Sequence, residues 1–298
     1  MAANELLDQL HGVVPMLPTP FASDGSVDFA GCESLANFAE KHPAVALLGF
    51  GAECLTLTTE ERLAVLRFFA SARSAGRHIV AGCTAKTESE ALRLVESANE
   101  LGIHAVMVAT PQQLELSEDA EHFFRRVIER LDETTLMVQD APQWAGSPLG
   151  AETVRRLHTE FPEILRYAKP ETVPYIDLMA ELVRIPSLSV FAGLGGAGLL
   201  EALTLGATGV IPFSEAGVEL ARIFELPEQE RGGRFADFLP LISFQFQSLE
   251  FAVQTSKALL GAQGVAITEM MRLPIRPMSD ISRKFLLEHA RRAHVLPS

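Results

Sequence analysis

The stretch Ile164-Leu165-Arg166-Tyr167-Ala168-Lys169-Pro170-Glu171 places an ammonium group at the end of an apolar run. The other lysines, Lys41, Lys86, Lys257 and Lys284, read as surface residues in polar or helical surroundings. Lys169 instead closes a run of the length and character of a buried strand. A lysine there is partly desolvated, and desolvation favours the neutral, nucleophilic amine. Such an amine condenses with a ketone or aldehyde to a Schiff base, and the iminium is an electron sink for making or breaking a C–C bond. The same residues also allow an inert strand-end lysine paired with Glu171 or another carboxylate.

Other chemistries find little support. Eight histidines form no H-E-x-x-H or similar ligand-spaced pair, so no metal site is expected. Cys32, Cys54 and Cys83 are odd in number and scattered, with no C-x-x-C, which fits a reducing, cytoplasmic setting. Acids outnumber bases 38 to 25, and a net charge of -13 argues against nucleic acid and anionic membrane surfaces as partners. The opening MAANELLDQLHG lacks the basic and apolar regions of a signal peptide. The apolar runs fall well short of the ~20 residues that span a bilayer. G-x-G-G-x-G occurs within 192–198, too late in the chain for a dinucleotide fingerprint.

The elements that must position Lys169 recur regularly. Apolar runs at 12–17, 44–50, 78–83, 104–110, 135–140, 164–169, 188–193 and 208–213 read as strands buried on both faces. Helical patterns lie between them. Thr58 and Glu61 form a capping box, and 87–102 carries apolar residues at helical spacing and ends on glycine. Eight strand–helix units of roughly 25 to 30 residues each predict a (β/α)8 barrel, in which catalytic groups sit at the C-terminal strand ends. The strand signal stops near Ala216. The reading is a barrel over 1–215 and a helical region over 216–298, with turns at Leu226–Pro227 and Arg231–Gly233.

The whole chain also resembles the dihydrodipicolinate synthase/N-acetylneuraminate lyase family of Schiff-base-forming aldolases. The matching motifs run in order: GVVPMLPTPFASDGSVD, GFGAECLTLTTEER, VAGCTAKTESEALRLVESANELGIHAVMVATP, DAPQWAG, FAGLGGAGLLEALTLGATGVI and SKALLGAQGVAITEMMRLPIRPMS. Lys169 falls where that family has its imine-forming lysine. Gly193 matches a glycine that lets backbone approach the substrate, and a tight turn would explain it equally well. Ile211 matches a barrel residue lining the lysine pocket, and its apolar run reads first as plain core.

Several chemistry-bearing positions depart from the family pattern. The G-T-T-G-E or G-S-T-G-E motif becomes Gly49-Phe50-Gly51-Ala52-Glu53, which removes both hydroxyls that hold the oxo-acid carboxylate and relay a proton. The acid–base tyrosine matches Gln139, which orients but does not titrate. The tyrosines after strand four match Gln112 and Gln113, and the arginine that binds a second carboxylate matches Trp144. Glu53 is expected to support its loop by hydrogen bonds, with a role as a base as the alternative. Asp140 reads as a loop anchor or a proton carrier, and Trp144 as lid packing or an aromatic pocket wall. The resemblance implies a cofactor-independent lyase, with Lys169 and Gln139 as catalytic residues. Phe50, Gly51, Trp144, Gly193 and Ile211 would line the site, and a homodimer or homotetramer would act on a small oxo acid or aldehyde. The lost hydroxyls also fit a degenerate member kept as a binding or partner protein.

Overall fold

In a strand buried on both faces, every second side chain must fill the barrel interior and the others must meet the surrounding helices. The computed structural model, which describes residues 9–74 and 76–297, shows this division. The N-terminal MAANELLD lies outside the described residues.

Eight strands form one parallel sheet: β1 (Gly12–Val13), β2 (Ala44–Leu47), β3 (His78–Gly82), β4 (Ala105–Val108), β5 (Thr135–Asp140), β6 (Leu165–Pro170), β7 (Ser189–Ala192) and β8 (Gly209–Val210). β1 pairs with β8, and a bridge between Met16 and Ala46 closes the ring onto β2. This is the expected (β/α)8 barrel. Ala44, Ala46, Val80, Ala105, Met107, Met137, Tyr167, Phe191 and Ile211 pack together inside. The intervening Val45, Leu47, Val106, Val108, Leu136, Val138, Ala168, Val190 and Val210 join the layer under the helices.

The outer ring is α1 (Phe29–Ala39), α2 (Thr59–Ala72), α3 (Glu88–Glu100), α4 (Ser117–Ile128), α5 (Gly150–Glu160), α6 (Tyr175–Leu182), α7 (Leu199–Leu205) and α8 (Gly217–Glu225). The expected capping box at α2 is present: Thr58 accepts from Glu61 N, and Glu61 accepts from Thr58 N. Three helices follow: α9 (Glu228–Gln245), α10 (Leu249–Ala262) and α11 (Asp280–Arg292). α9 begins just after Leu226–Pro227, but it runs straight through Arg231–Gly233. The expected turn there is corrected. Phe235, Phe238, Leu241 and Ile242 bury one face of α9, which outweighs the ~1 kcal/mol cost of each glycine in a helix.

Lys257 is the second correction. It is no surface lysine: its side chain is fully buried on α10. Among the described residues, no helix is long and apolar enough to cross a membrane.

Candidate active site

Tyr167, Lys169 and Glu171 alternate along one line of the chain, so one inward-facing position sets the other two. Tyr167 lies in the barrel interior. Two residues on, Lys169 reaches the C-terminal mouth, only 5% exposed. Pro170 ends β6, and Glu171 continues the inward parity, with its backbone N–H donating to Asp140 O at 2.8 Å. In the β5–β6 register Gln139 stands beside Lys169.

These side chains form one buried cluster. Lys169 Nζ donates to Glu171 Oε2 at 2.8 Å, and Gln139 Nε2 donates to the same oxygen at 2.5 Å. Glu171 Oε1 accepts from Leu194 N at 2.9 Å. Leu194 holds φ at 50°, the left-handed region that a branched side chain seldom adopts. Backbone strain of this kind persists only where surrounding contacts enforce it. Gly193 has no Cβ for a related reason: one built there would lie 2.2 Å from Glu171 Oε1. The free space beside Gly193 is therefore occupied by the protein's own carboxylate. Burial pushes the Glu171 carboxyl up, but the Lys169 charge and the bonds from Lys169, Leu194 and Gln139 outweigh it. The net result is a carboxyl held below its ordinary value.

The wall opposite is aromatic. The loop after β2 turns at Phe50, whose ring lies 5.6 Å from Trp144 at a tilt of 49°. Gly51 faces Phe213, whose ring would lie 2.8 Å from a Cβ at that position. Met16, Phe50, Gly51, Gln139, Trp144, Lys169, Glu171, Ile211, Phe213 and Phe246 surround a cavity of about 40 Å³, room for a few waters. Lys169, Gln139, Phe50, Gly51, Trp144 and Ile211 are thus brought together. Gly193 instead lies behind Glu171.

Asp140 stands aside as an anchor. Its carboxylate accepts from Gly150 N at 2.9 Å and from Thr172 Oγ1 at 3.2 Å, tying the β5 loop to α5 and to the β6 loop. Burial pushes its carboxyl up despite these bonds. Gln112 donates to Trp144 O at 3.2 Å and so buttresses the loop that carries the indole. Glu53 supports its loop as expected, accepting from Lys257 Nζ and from the backbone of Arg272 and Leu273.

Sequence reading named Glu171 only as a possible partner and missed Phe213 and Phe246. The even spacing of 167, 169 and 171 carried the first signal. The bare Gly51, which needs a large neighbour to fill its space, hinted at the second. No group of three or more potential metal ligands occurs among the described residues.

Closed parallel ring and outer helices define a (β/α)8-barrel protein, with Lys169 and the candidate site at its C-terminal strand ends. The chain belongs to the Dihydrodipicolinate synthetase family, whose sequence profile matches residues 9–292. It is 31% identical over 292 residues to the 4-hydroxy-tetrahydrodipicolinate synthase of Acidobacterium capsulatum, covering 92% of each chain. It is 27% identical over 292 residues to that of Chlorobium chlorochromatii, covering 94% of this chain and 96% of the relative. In fold it is similar to the lysine-bound synthase structure from Cyanidioschyzon merolae, with TM-score 0.87 and 24% identity over 96% of this chain and 99% of the other. The Thermotoga maritima structure gives TM-score 0.86 and 22% identity, covering 96% and 99%.

Proposed function

We propose that the protein is a class I aldolase-type lyase in which Lys169 forms a Schiff base with a small oxo acid or aldehyde, for cleavage or formation of a C–C bond. One observation carries this reading: the buried Lys169 amine faces the cavity at the barrel mouth, and the other residues lining that cavity carry no cation. An amine so placed meets a carbonyl carbon without competition from bulk water. The reaction needs no cofactor. The family relationship supports the lyase class, and a homodimer or homotetramer in the cytoplasm is part of the same reading.

The second reading, a binding or partner protein, draws on the Lys169–Glu171 ion pair and the small cavity. A single experiment separates the two. The protein is incubated with pyruvate, other oxo acids and simple aldehydes, reduced with borohydride and digested. A mass adduct on the Lys169 peptide, absent from Lys169→Ala, is expected. No adduct with any probe would leave the binding reading in place.

A further inference from the structure

The lyase reading leaves the proton carrier unassigned, because Gln139 stands where the resembling family has its tyrosine. We infer that Glu171 is that carrier: the catalytic acid–base group that acts on Lys169 and on the carbon bonded to it. The inference rests on the imine reading.

The geometry points to Glu171 in three ways. Its Oε2 is in direct contact with the reacting atom, Lys169 Nζ, at 2.8 Å. The other contacts to its carboxylate all hold it in place: Gln139 Nε2 on Oε2 and Leu194 N on Oε1. Two costly features serve that placement, the left-handed backbone of Leu194 and the side-chain-free Gly193 against Oε1. A carboxylate needed only to neutralise a lysine requires neither. Asp140, the other acid nearby, is committed to Gly150 N and Thr172 Oγ1.

The steps balance on this one group. Glu171 takes a proton from the Lys169 ammonium, leaving a neutral amine and a carboxylic acid. The amine lone pair forms the C–N bond, and the carbonyl π pair moves onto oxygen, which takes the proton from Glu171. Glu171 then takes a proton from the new nitrogen centre and hands it to the hydroxyl. The C–O bond breaks, water leaves, and the nitrogen lone pair forms the C=N bond. The product is an iminium beside a carboxylate. Glu171 next takes the α-proton, the C–H pair becomes the enamine double bond, and the C=N π pair returns to nitrogen. Each time Lys169 gives up its charge, the attraction that held the Glu171 proton off is lost while burial remains, so the carboxylate becomes a better proton acceptor.

The test uses butanal and 2-oxobutanoate as probes on the intact protein, with two readouts: the borohydride adduct at Lys169 and α-deuterium incorporation in D2O followed by NMR. The expected result is an adduct and α-deuteration in the wild type. Glu171→Gln should still give an adduct on prolonged incubation, but with α-deuteration slowed ~100-fold or more. Glu171→Ala should regain part of the deuteration rate when formate is added, a response that a purely structural residue would not show. It also decides the matter should Glu171→Gln fold poorly. Adducts with equal α-deuteration in wild type and Glu171→Gln would overturn the role of Glu171 while leaving the imine intact. So would an adduct in the wild type without any α-deuteration, or a folded Glu171→Ala that formate leaves unchanged. No adduct on the wild type would remove the imine reading itself.

Discussion

Lys257 Nζ, on α10, lies 2.7 Å from Oε1 of Glu53, 204 positions earlier in the loop after β2, and both side chains are fully buried. The ammonium also donates to Met270 O at 2.7 Å and sits 4.5 Å from the centre of the Phe21 ring. Glu53 in turn accepts from the backbone N–H groups of Arg272 and Leu273. The pair therefore fastens the C-terminal helices to the loop that carries Phe50 and Gly51 into the candidate site. Glu53 itself sits at φ 59°, a conformation this bonding helps to enforce.

Removing one partner should leave a buried charge without its counterpart. Lys257→Met is expected to cost about 3–5 kcal/mol in urea unfolding, and Glu53→Gln a comparable amount. The double variant should cost clearly less than the sum of the two. Single variants within ~1 kcal/mol of wild type would show that the loop and helices are held by other contacts.

Gly193→Ala tests the crowding around Glu171. The Gly193 backbone, at φ -107° and ψ -141°, has a negative φ, so a left-handed conformation is not the reason for glycine there. The new methyl would collide with the Glu171 carboxylate instead. The variant should lose roughly 2–4 kcal/mol of stability by displacing that group from Lys169. Glu171→Ala in the same chain should restore part of it. If the two changes simply add, Gly193 serves something other than Glu171.

Much of this fold was legible because its signals are local and periodic. Uninterrupted apolar runs marked the strands, and the Thr58–Glu61 spacing marked a helix start. The departures were matters of tertiary context. Arg231–Gly233 looks like a turn in isolation, yet the apolar face of α9 carries the helix across it. Lys257 sits in a helical pattern like any exposed lysine, and only the position of Glu53 two hundred residues away reveals its burial. At the site, Lys169 was readable from its strand. The closeness of Phe50 to Trp144, and the filling of the Gly193 space by Glu171, depend on how separate loops meet.

The substitutions at the mouth predict that the chain does not condense pyruvate with aspartate semialdehyde at a useful rate. Phe50 and Gly51 carry no hydroxyl, Gln139 cannot titrate, and Trp144 offers no guanidinium. Simple reversion should not repair this. A β-carbon at position 51 meets the Phe213 ring at 2.8 Å, so Gly51→Thr requires that ring to move. A coupled assay approaching the common enzyme range of ~10 s⁻¹ would refute the prediction.

His42 predicts a pH dependence away from the site. Burial, aided by the charges of Lys41 and Arg77, pushes its pKa down from 6.5 to about 4, and its Nε2 has no hydrogen-bond partner among the described residues. The unfolded chain binds a proton at this residue below pH ~6.5, whereas the folded chain does so only near pH 4. The contribution is therefore whole above about 6.5 and shrinks as pH falls toward 4, by up to roughly 3 kcal/mol. Urea midpoints between pH 7 and 4 should fall less steeply for His42→Gln than for wild type. Parallel curves would place the titration elsewhere.

The walls of the cavity predict what enters it. The one cation among the lining residues, Lys169, is already matched by Glu171. A short dicarboxylate would bring two further negative charges with no cation to meet them, and burying an unpaired carboxylate is costly. Phe50, Trp144, Phe213 and Phe246 instead offer apolar faces, worth roughly 1.5–3 kcal/mol for a fully buried large apolar group. A mono-acid or aldehyde with a hydrophobic tail should therefore raise the melting temperature more than a dicarboxylate of similar size. The cavity holds only about 40 Å³, so such a tail needs a lining side chain to give way, and the half-buried Trp144 ring is the one expected to move. Trp144→Ala should accordingly admit longer tails while leaving the Lys169 adduct intact. Thermal-shift series with alkyl- and phenyl-bearing oxo acids against succinate and 2-oxoglutarate give the measurement. Greater stabilisation by the dicarboxylates would mean that a cation outside the present lining turns inward when ligand binds.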